Sequence, residues 1–140
     1  MSYQGELLKQ LKEHEGLRLK LYQCPAGKIS IGYGHNIQDN GLSKTACEFI
    51  LFEDIEEAIR NLYAVFSKEF FDKLKDNQKI ALIDMMFNLG LSKFLTFKRF
   101  ITAVKNRNWD DASYEIIHSR AYEQNKRRYK KLSEQIKNLK

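Results

Sequence analysis

The sequence predicts a mostly helical α+β fold in which a small N-terminal lobe with a short antiparallel β-sheet is joined by a long helix to a helical C-terminal lobe. Residues 17–34 alternate apolar and polar side chains as β-strands do. Apolar residues then recur at helical spacing from about residue 45 to 66, and helical patterns follow to the end. We expect one domain of 140 residues, with the small lobe at about 15–45, the connecting helix at about 45–66, and the helical lobe at about 67–140 plus the N-terminal helix.

The composition is that of a globular domain rather than a membrane or disordered protein. Hydrophobic residues make up 43% and charged residues 30% of the chain, and no apolar run approaches the roughly 20 residues of a membrane span. The N-terminal residues lack the apolar core of a secretory signal, so we expect a cytoplasmic protein with Cys24 and Cys47 as free thiols. These cysteines do not form a metal-ligand spacing, and we expect no metal ion and no cofactor. A packing role is expected for Cys47.

Charge is distributed unevenly along the chain. Residues 1–70 carry a formal charge of −2 and residues 71–140 one of +8. The basic half favours an anionic partner, and a nucleic acid, an anionic cell-wall polymer or a membrane surface all fit this charge, as does simple solubility. Because no aromatic residues interleave with the basic ones in the way that base stacking requires, no nucleic acid is expected as a partner.

The N-terminal helix is predicted over residues 3–14, with Gly16 as its C-terminal stop. Glu15 would then lie in or just past the last turn, where the negative end of the helix dipole disfavours a carboxylate. Glu15 is therefore either a solvated side chain, a partner of an arginine, or a carboxyl group kept neutral and suited to acid catalysis.

An antiparallel hairpin is predicted over residues 17–34, with its turn at Pro25-Ala26-Gly27. If its strands turn their apolar odd-numbered residues toward a core, Cys24 and Ser30 emerge together on the other face, nearly opposite each other. The odd-numbered set is Leu17, Leu19, Leu21, Ile29, Ile31 and Tyr33. Either Cys24, Ser30 and Glu15 converge on one functional wall, or the hairpin is amphipathic and its thiol is incidental.

Residues 36–44 are predicted to be a loop, and Thr45 and Glu48 match the capping box that starts a helix. That helix is expected to run to about Phe66. Its acidic residues cluster on the solvated side, and Asp54 is placed to reach back toward His35.

The second half is predicted to be helical throughout. Asp76 is expected to cap a helix that ends at Asn88-Leu89-Gly90, a further helix covers residues 95–105, and Asn108 is expected to cap a helix from Trp109 to His118. The last helix, near 124–139, carries a dense basic face opposite an apolar stripe. A solvated face is the usual meaning of such a run, with membrane or nucleic-acid binding as alternatives. The stripe consists of Tyr129, Leu132, Ile136 and Leu139.

The segment from Glu15 to His35 resembles the active-site segment of the bacteriophage-type lysozymes, glycoside hydrolase family 24. That family has a Glu, eight residues, an Asp or in some members a Cys, five residues, and a Thr, followed by Gly-x-Gly-His. Glu15, Cys24 and Ser30 fall at those spacings, and Gly32-Tyr33-Gly34-His35 closes the segment. Similar family positions are Phe87-Asn88-Leu89-Gly90, Trp109-Asp110-Asp111-Ala112, Ser119-Arg120 and Arg127-Arg128.

The resemblance implies a lysozyme-like fold and hydrolysis of the β-1,4 bond between N-acetylmuramic acid and N-acetylglucosamine in peptidoglycan. It implies that Glu15 is the general acid, that Cys24 replaces the usual second catalytic Asp, and that Ser30 replaces the Thr that helps to hold the attacking water. The remaining residues that it singles out are Asn88, Phe87 and Tyr33 for substrate binding, and the His35–Asp54 ion pair and Arg128 for structural support.

The chain departs from the family pattern at two positions. Ser30 keeps the hydroxyl group but loses the methyl group that fixes the rotamer of a Thr. A thiol is mostly neutral near pH 7 unless Arg18, Lys20 or Lys28 lowers its pKa. Cys24 therefore acts as a thiolate base, attacks the sugar directly, or only positions water, and retention or inversion depends on a separation that the sequence does not give.

The resemblance further implies an endolysin of a phage or prophage that lyses its host. We expect a monomer that waits in the host cytoplasm until a holin-type membrane protein lets it reach the glycan strands of peptidoglycan in the periplasm. Alternatives are a lytic transglycosylase that cuts the same bond without adding water, and a relative that binds the cell wall without catalysis.

Overall fold

The computed structural model describes residues 3–138 and divides into two compact units, one extending to Phe49 and the other starting at Ile50. The mostly helical α+β fold with a small antiparallel sheet is confirmed. The division places the N-terminal helix in the first unit. The predicted grouping of this helix with the helical lobe stays a prediction. None of the described helices is both long and apolar enough to span a membrane.

The first unit contains a helix, a three-stranded sheet and a short second helix. Helix α1 (Gln4–Glu15) ends where the Gly16 N–H donates to the carbonyl oxygen of Lys12 at 3.0 Å. The sheet strands and the helix that follows them are β1 (Arg18–Gln23), β2 (Ile29–Gly32), β3 (His35–Asn36) and α2 (Ile37–Asn40). The sheet is antiparallel, with the strand order β1-β2-β3.

The condition that the hairpin turns its apolar odd-numbered residues toward a core is not met. Leu17, just before β1, and the two leucines of β1 are exposed, with Leu19 at 81%. The even-numbered Ser30, by contrast, is only 1% exposed. Helix α2 packs against β2, and the Ile29 N–H donates to the Gln38 side chain at 2.9 Å. The polar face with Ser30 is therefore the more covered face of the hairpin.

The second unit is helical, and it begins within α3 (Lys44–Phe66), whose predicted length is confirmed. The Ser43 hydroxyl, rather than that of Thr45, accepts the N–H of Ala46 at 3.0 Å and caps α3. Cys47 in the first turn of α3 is exposed, so its predicted packing role is wrong. The remaining helices are α4 (Lys68–Asp72), α5 (Asp76–Phe94), α6 (Lys98–Lys105), α7 (Trp109–Ile117), α8 (Arg120–Gln124) and α9 (Lys126–Ile136).

Helix α5 differs from the prediction at its start and agrees with it at Gly90. It is preceded by Lys75, whose N–H donates to the Gln78 side chain at 3.1 Å, so Asp76 is the first helical residue rather than the cap. The backbone at Gly90 is not helical, with a φ of +77° and a ψ of +165°, so the first helical segment ends there as predicted. A short second helical segment, which the sequence did not indicate, continues across this kink to Phe94.

A single hydrophobic cluster holds the helices of the second unit together. Helix α9 packs against α5 and α7, and its predicted stripe buries Tyr129, Leu132 and Ile136, while Leu139 lies outside the described residues. The Gln78 side-chain amide donates to the Ile136 carbonyl oxygen at 3.3 Å, so α5 and the end of α9 are also joined by a buried polar contact.

Candidate active site

The turn between β1 and β2 determines the surroundings of the Cys24 side chain. The Gly27 N–H donates to the Cys24 carbonyl oxygen and the Cys24 N–H donates to the Lys28 carbonyl oxygen, both at 2.8 Å. This three-residue loop over Pro25, Ala26 and Gly27 is a type I turn followed by a left-handed residue, a common hairpin connection. Because the Cys24 carbonyl oxygen is taken by Gly27, the Lys28 N–H is released from the ladder and can face the thiol.

The Cys24 thiol is surrounded by hydrogen-bond donors that favour its ionised form. The backbone N–H of Lys28 lowers the pKa of the Cys24 thiol, partial burial opposes this, and the Ala26 N–H and the Ser30 hydroxyl lower it further; the net pKa lies below the ordinary value. The expected cationic side chains are not the cause, because the Lys28 ammonium pairs with Asp39 at 3.3 Å. Donors to a thiolate stabilise the charged form as they would a carboxylate.

Ser30 lies on the same face of the hairpin as Cys24 but is displaced along it. The register pairs Ser30 with Tyr22 and Ile29 with Gln23, so Cys24 lies diagonally from Ser30 rather than opposite it. The Ser30 hydroxyl is buried, and its oxygen lies 3.3 Å from the Lys28 carbonyl oxygen. The structure therefore brings the thiol and the hydroxyl together.

Glu15 is the last residue of α1, and its side chain lies against the turn between β2 and β3. A methyl group built on Gly34 would lie 3.0 Å from Glu15 Cδ. In the same turn the Tyr33 ring lies under the Lys12 ammonium, with 5.6 Å between Nζ and the ring centroid. Since Lys12 and Glu15 are three residues apart on α1, one helix face carries both contacts.

His35 and Asp54, the predicted ion pair, lie in different units. His35 Nε2 is 2.6 Å from the Gly41 carbonyl oxygen, and Asp54 lines a cavity of about 390 Å³ together with Phe87 and Gly90. The pairing of His35 with Asp54 stays a prediction.

Asn88 and Arg128 are held by partners that the sequence did not indicate. The Asn88 side-chain oxygen accepts a hydrogen bond from the Tyr129 hydroxyl, and Arg128 Nε donates to Asp84 Oδ1 at 2.7 Å. Asn88 and Phe87 are exposed near the kink of α5. Both contacts join α5 to α9, and the structural role of Arg128 that the resemblance implies stays a prediction.

Two features of this site could not be identified from side-chain spacing alone. Most donors around Cys24 are backbone groups, which have no signature in the sequence. The closeness of Glu15 to Gly34 was not indicated either, because the two residues lie in different predicted elements. The start of helix α2 could have been recognised from the sequence, because Asn36 is a favoured N-cap residue. In the structure its side-chain oxygen accepts a hydrogen bond from the Asp39 N–H at 3.0 Å. Among residues 3–138, no three His, Cys, Asp or Glu side chains are grouped so that they could hold a metal ion.

Comparison with known proteins shows similarity along almost the whole chain. A family model described as Phage lysozyme matches residues 12–137. An endolysin of Acyrthosiphon pisum secondary endosymbiont phage 1 is 36% identical over 107 residues, covering 74% of this chain and 67% of the relative. An endolysin of Salmonella phage P22 is 36% identical over 98 residues, 62% of each chain. A probable T4-type lysozyme 2 of Dictyostelium discoideum is 24% identical over 142 residues, 82% of this chain and 84% of the relative.

Proposed function

Since the chain belongs to the phage lysozyme family and is a glycoside hydrolase, we propose that it hydrolyses the β-1,4 bond between N-acetylmuramic acid and N-acetylglucosamine and so lyses a bacterial host. The observation that carries this proposal is the Cys24 thiol, which lies among backbone donors and beside the Ser30 hydroxyl at the spacing of the family's second catalytic residue. A thiol in such surroundings supplies the negative charge that an aspartate supplies in other members.

Glu15 is the proposed general acid. Its carboxyl group is exposed at the end of α1 and lies against the backbone at Gly34. It donates a proton to the glycosidic oxygen as the C–O bond breaks, so that the sugar leaves as a neutral alcohol rather than as an alkoxide. Glycoside hydrolases pair such an acid with a second, negatively charged group on the other side of the bond.

Cys24 is the proposed second group, and we propose that it acts as a thiolate. In this form it either takes a proton from the attacking water or attacks the anomeric carbon itself. The Ser30 hydroxyl, which lies on the same hairpin face, then holds the water. The Lys28 and Ala26 N–H groups favour this charged form, because they lower the pKa of the thiol.

The remaining proposed roles concern binding and delivery. Tyr33, Phe87 and Asn88 are exposed side chains suited to contact sugar rings and N-acetyl groups. The net charge of +8 on residues 71–140 attracts the enzyme to anionic cell walls, an attraction that salt weakens. We further propose that the protein acts as a monomer and reaches the periplasm from the host cytoplasm with the help of a holin-type protein.

The acid role is tested with Glu15→Gln, which keeps the side-chain size but cannot donate a carboxyl proton. Clearing of permeabilised Gram-negative cells is expected to slow by about 100- to 10,000-fold. Glu13→Gln on the same helix is the matched control and should clear at the wild-type rate. Normal clearing by Glu15→Gln would remove Glu15 from the mechanism. Mass spectrometry of the released fragments should find reducing ends, and 1,6-anhydro ends would contradict hydrolysis.

The thiolate role is tested by the pH dependence of activity. If the thiolate is required, activity rises as the pH passes through the pKa of Cys24, whereas Cys24→Asp is ionised at lower pH and should show its rising limb on the acid side of the wild-type limb. Cys47→Ala controls for loss of the other thiol. Coincident limbs for wild type and Cys24→Asp, or full activity of Cys24→Ala, would exclude the thiolate.

A further inference from the structure

Gly32, the last residue of β2, and Gly34, in the turn that follows, share a positive φ but differ in their surroundings. Gly32 has a φ of +70° and Gly34 a φ of +71°. Both lie in the left-handed region that residues with a side chain rarely adopt, so alanine is strained at either position. They flank Tyr33, whose ring contacts Lys12 of α1. Alanine at either position therefore has to adopt the same unfavourable φ.

The space beside the two glycines is different. A Cβ atom on Gly32 would meet nothing within 4 Å, whereas one on Gly34 would lie 3.0 Å from Glu15 Cδ and 3.4 Å from Glu15 Cγ, and closer still to Oε2. Such contacts are too short to persist, so the carboxyl group would have to leave its place. Glu15 is exposed, so the fold tolerates a movement of its side chain. An alanine at Gly34 therefore mainly changes the position of the Glu15 carboxyl group.

We propose that Gly34 is the positioning residue for the Glu15 carboxyl group. The bare backbone at Gly34 lets the turn approach the last turn of α1, and the carboxyl group rests in the space that any other side chain would fill. The Lys12–Tyr33 contact holds the turn against the same helix face one turn earlier. This inference rests on the proposed role of Glu15 as general acid. An acid displaced by about 1 Å donates its proton poorly, because proton transfer depends steeply on geometry.

The experiment compares Gly34→Ala with Gly32→Ala in the full chain. Both variants should lose a similar amount of melting temperature, because both carry the same strained φ. Per folded molecule, Gly34→Ala should lower kcat by about 10- to 100-fold with little change in KM, while Gly32→Ala stays within about twofold of wild type. Equal kcat losses in the two variants, with Glu15→Gln inactive, would overturn the positioning role and leave the proposed function intact.

A double-mutant cycle with Glu15→Gln separates an effect through Glu15 from a general one. If Gly34 acts through the carboxyl group, adding Gly34→Ala to Glu15→Gln should not lower the residual rate any further. A multiplicative loss in the double variant would contradict the inference. Failure of the proposed function has a different signature, namely a Glu15→Gln variant that clears cells at the wild-type rate.

A second pair of variants covers the case in which Gly34→Ala does not fold. Removing the glutamate side chain with Glu15→Ala takes away the crowding, so the Glu15→Ala, Gly34→Ala double variant should melt within error of Gly32→Ala. A double variant that remains unfolded while Gly32→Ala folds would show that the side chain of Glu15 is not what Gly34 accommodates, and would overturn the inference.

Discussion

The hydrogen bond between Tyr129 and Asn88 gives a stability prediction with a calculable size. Tyr129 is 1% exposed, and its hydroxyl donates to the Asn88 side chain across α5 and α9. Tyr129→Phe removes the donor and keeps the ring. Because the exposed Asn88 side chain can bond to water instead, the cost is about 0.5–1.5 kcal/mol, the usual net contribution of one hydrogen bond. At about 2.1 cal/mol/K per residue, the unfolding entropy of a 140-residue chain converts this into a melting temperature lower by roughly 2–5 °C.

The same hydroxyl makes stability depend on pH in the alkaline range. Burial raises the pKa of Tyr129 to about 12, with Arg128 lowering it and Asp84 raising it as smaller effects. In the unfolded chain a tyrosine has a pKa of about 10. The folded chain therefore keeps a proton that the unfolded chain loses, so the stabilisation is complete below pH 10 and is lost as the pH rises from about 10 to about 12. The loss is on the order of 2 kcal/mol.

The assay is thermal and urea unfolding followed by circular dichroism from pH 7 to about 12. Other tyrosines and lysines titrate in this range, but their effects cancel in the difference between wild type and Tyr129→Phe, which should shrink as the pH rises above 10. Tyr114→Phe, at an exposed tyrosine, is the control and should match wild type. A Tyr129→Phe melting temperature within about 1 °C of wild type, or a difference that does not change with pH, would refute the reasoning.

Two further predictions concern contacts in the helical unit. Asn108→Ala removes the acceptor for the Asp111 N–H at 3.2 Å and should cost about 1 kcal/mol in urea unfolding; the measurement should show no such loss for Asn106→Ala. The Arg128–Asp84 pair has side chains exposed by 31% and 38%, so a double-mutant cycle should give a coupling of no more than about 1 kcal/mol, and a coupling several times larger would contradict this.

Long elements of the fold were predictable because their patterns repeat. Helix α3 extends over 23 residues, enough for a helical period to be read from its apolar residues. The N-cap of α7 at Asn108 was also predicted correctly, because a side chain signals it directly. The helices α2, α4 and α8 have only four or five residues, too few for a period to be recognised. The cap of α3 was misplaced by two residues, since Ser43 and Thr45 carry the same kind of hydroxyl.

The candidate site was predictable in its residues but not in its interactions. Strand alternation placed Cys24 and Ser30 on one face, as the register does. The structure covers the face that carries Ser30, whereas the alternation of apolar residues indicated the opposite face. The donors near the thiol are the backbone N–H groups of Lys28 and Ala26, and a backbone N–H has no signature in the sequence. The hydrogen bond from the Gly27 N–H to the Cys24 carbonyl oxygen leaves these donors free to face the thiol.

Because few side chains are buried in the first unit, we expect its hairpin to unfold locally more readily than the helices of the second unit. Of residues 3–49, Ser30 alone is buried, so hydrogen bonds rather than apolar packing hold the hairpin within this unit. Amide protons of β1 and β2 should then exchange with solvent through local openings of lower free energy than those of α5 and α9. Every opening also withdraws the Lys28 N–H from Cys24, so the acidity of the thiol is coupled to the local order of the backbone.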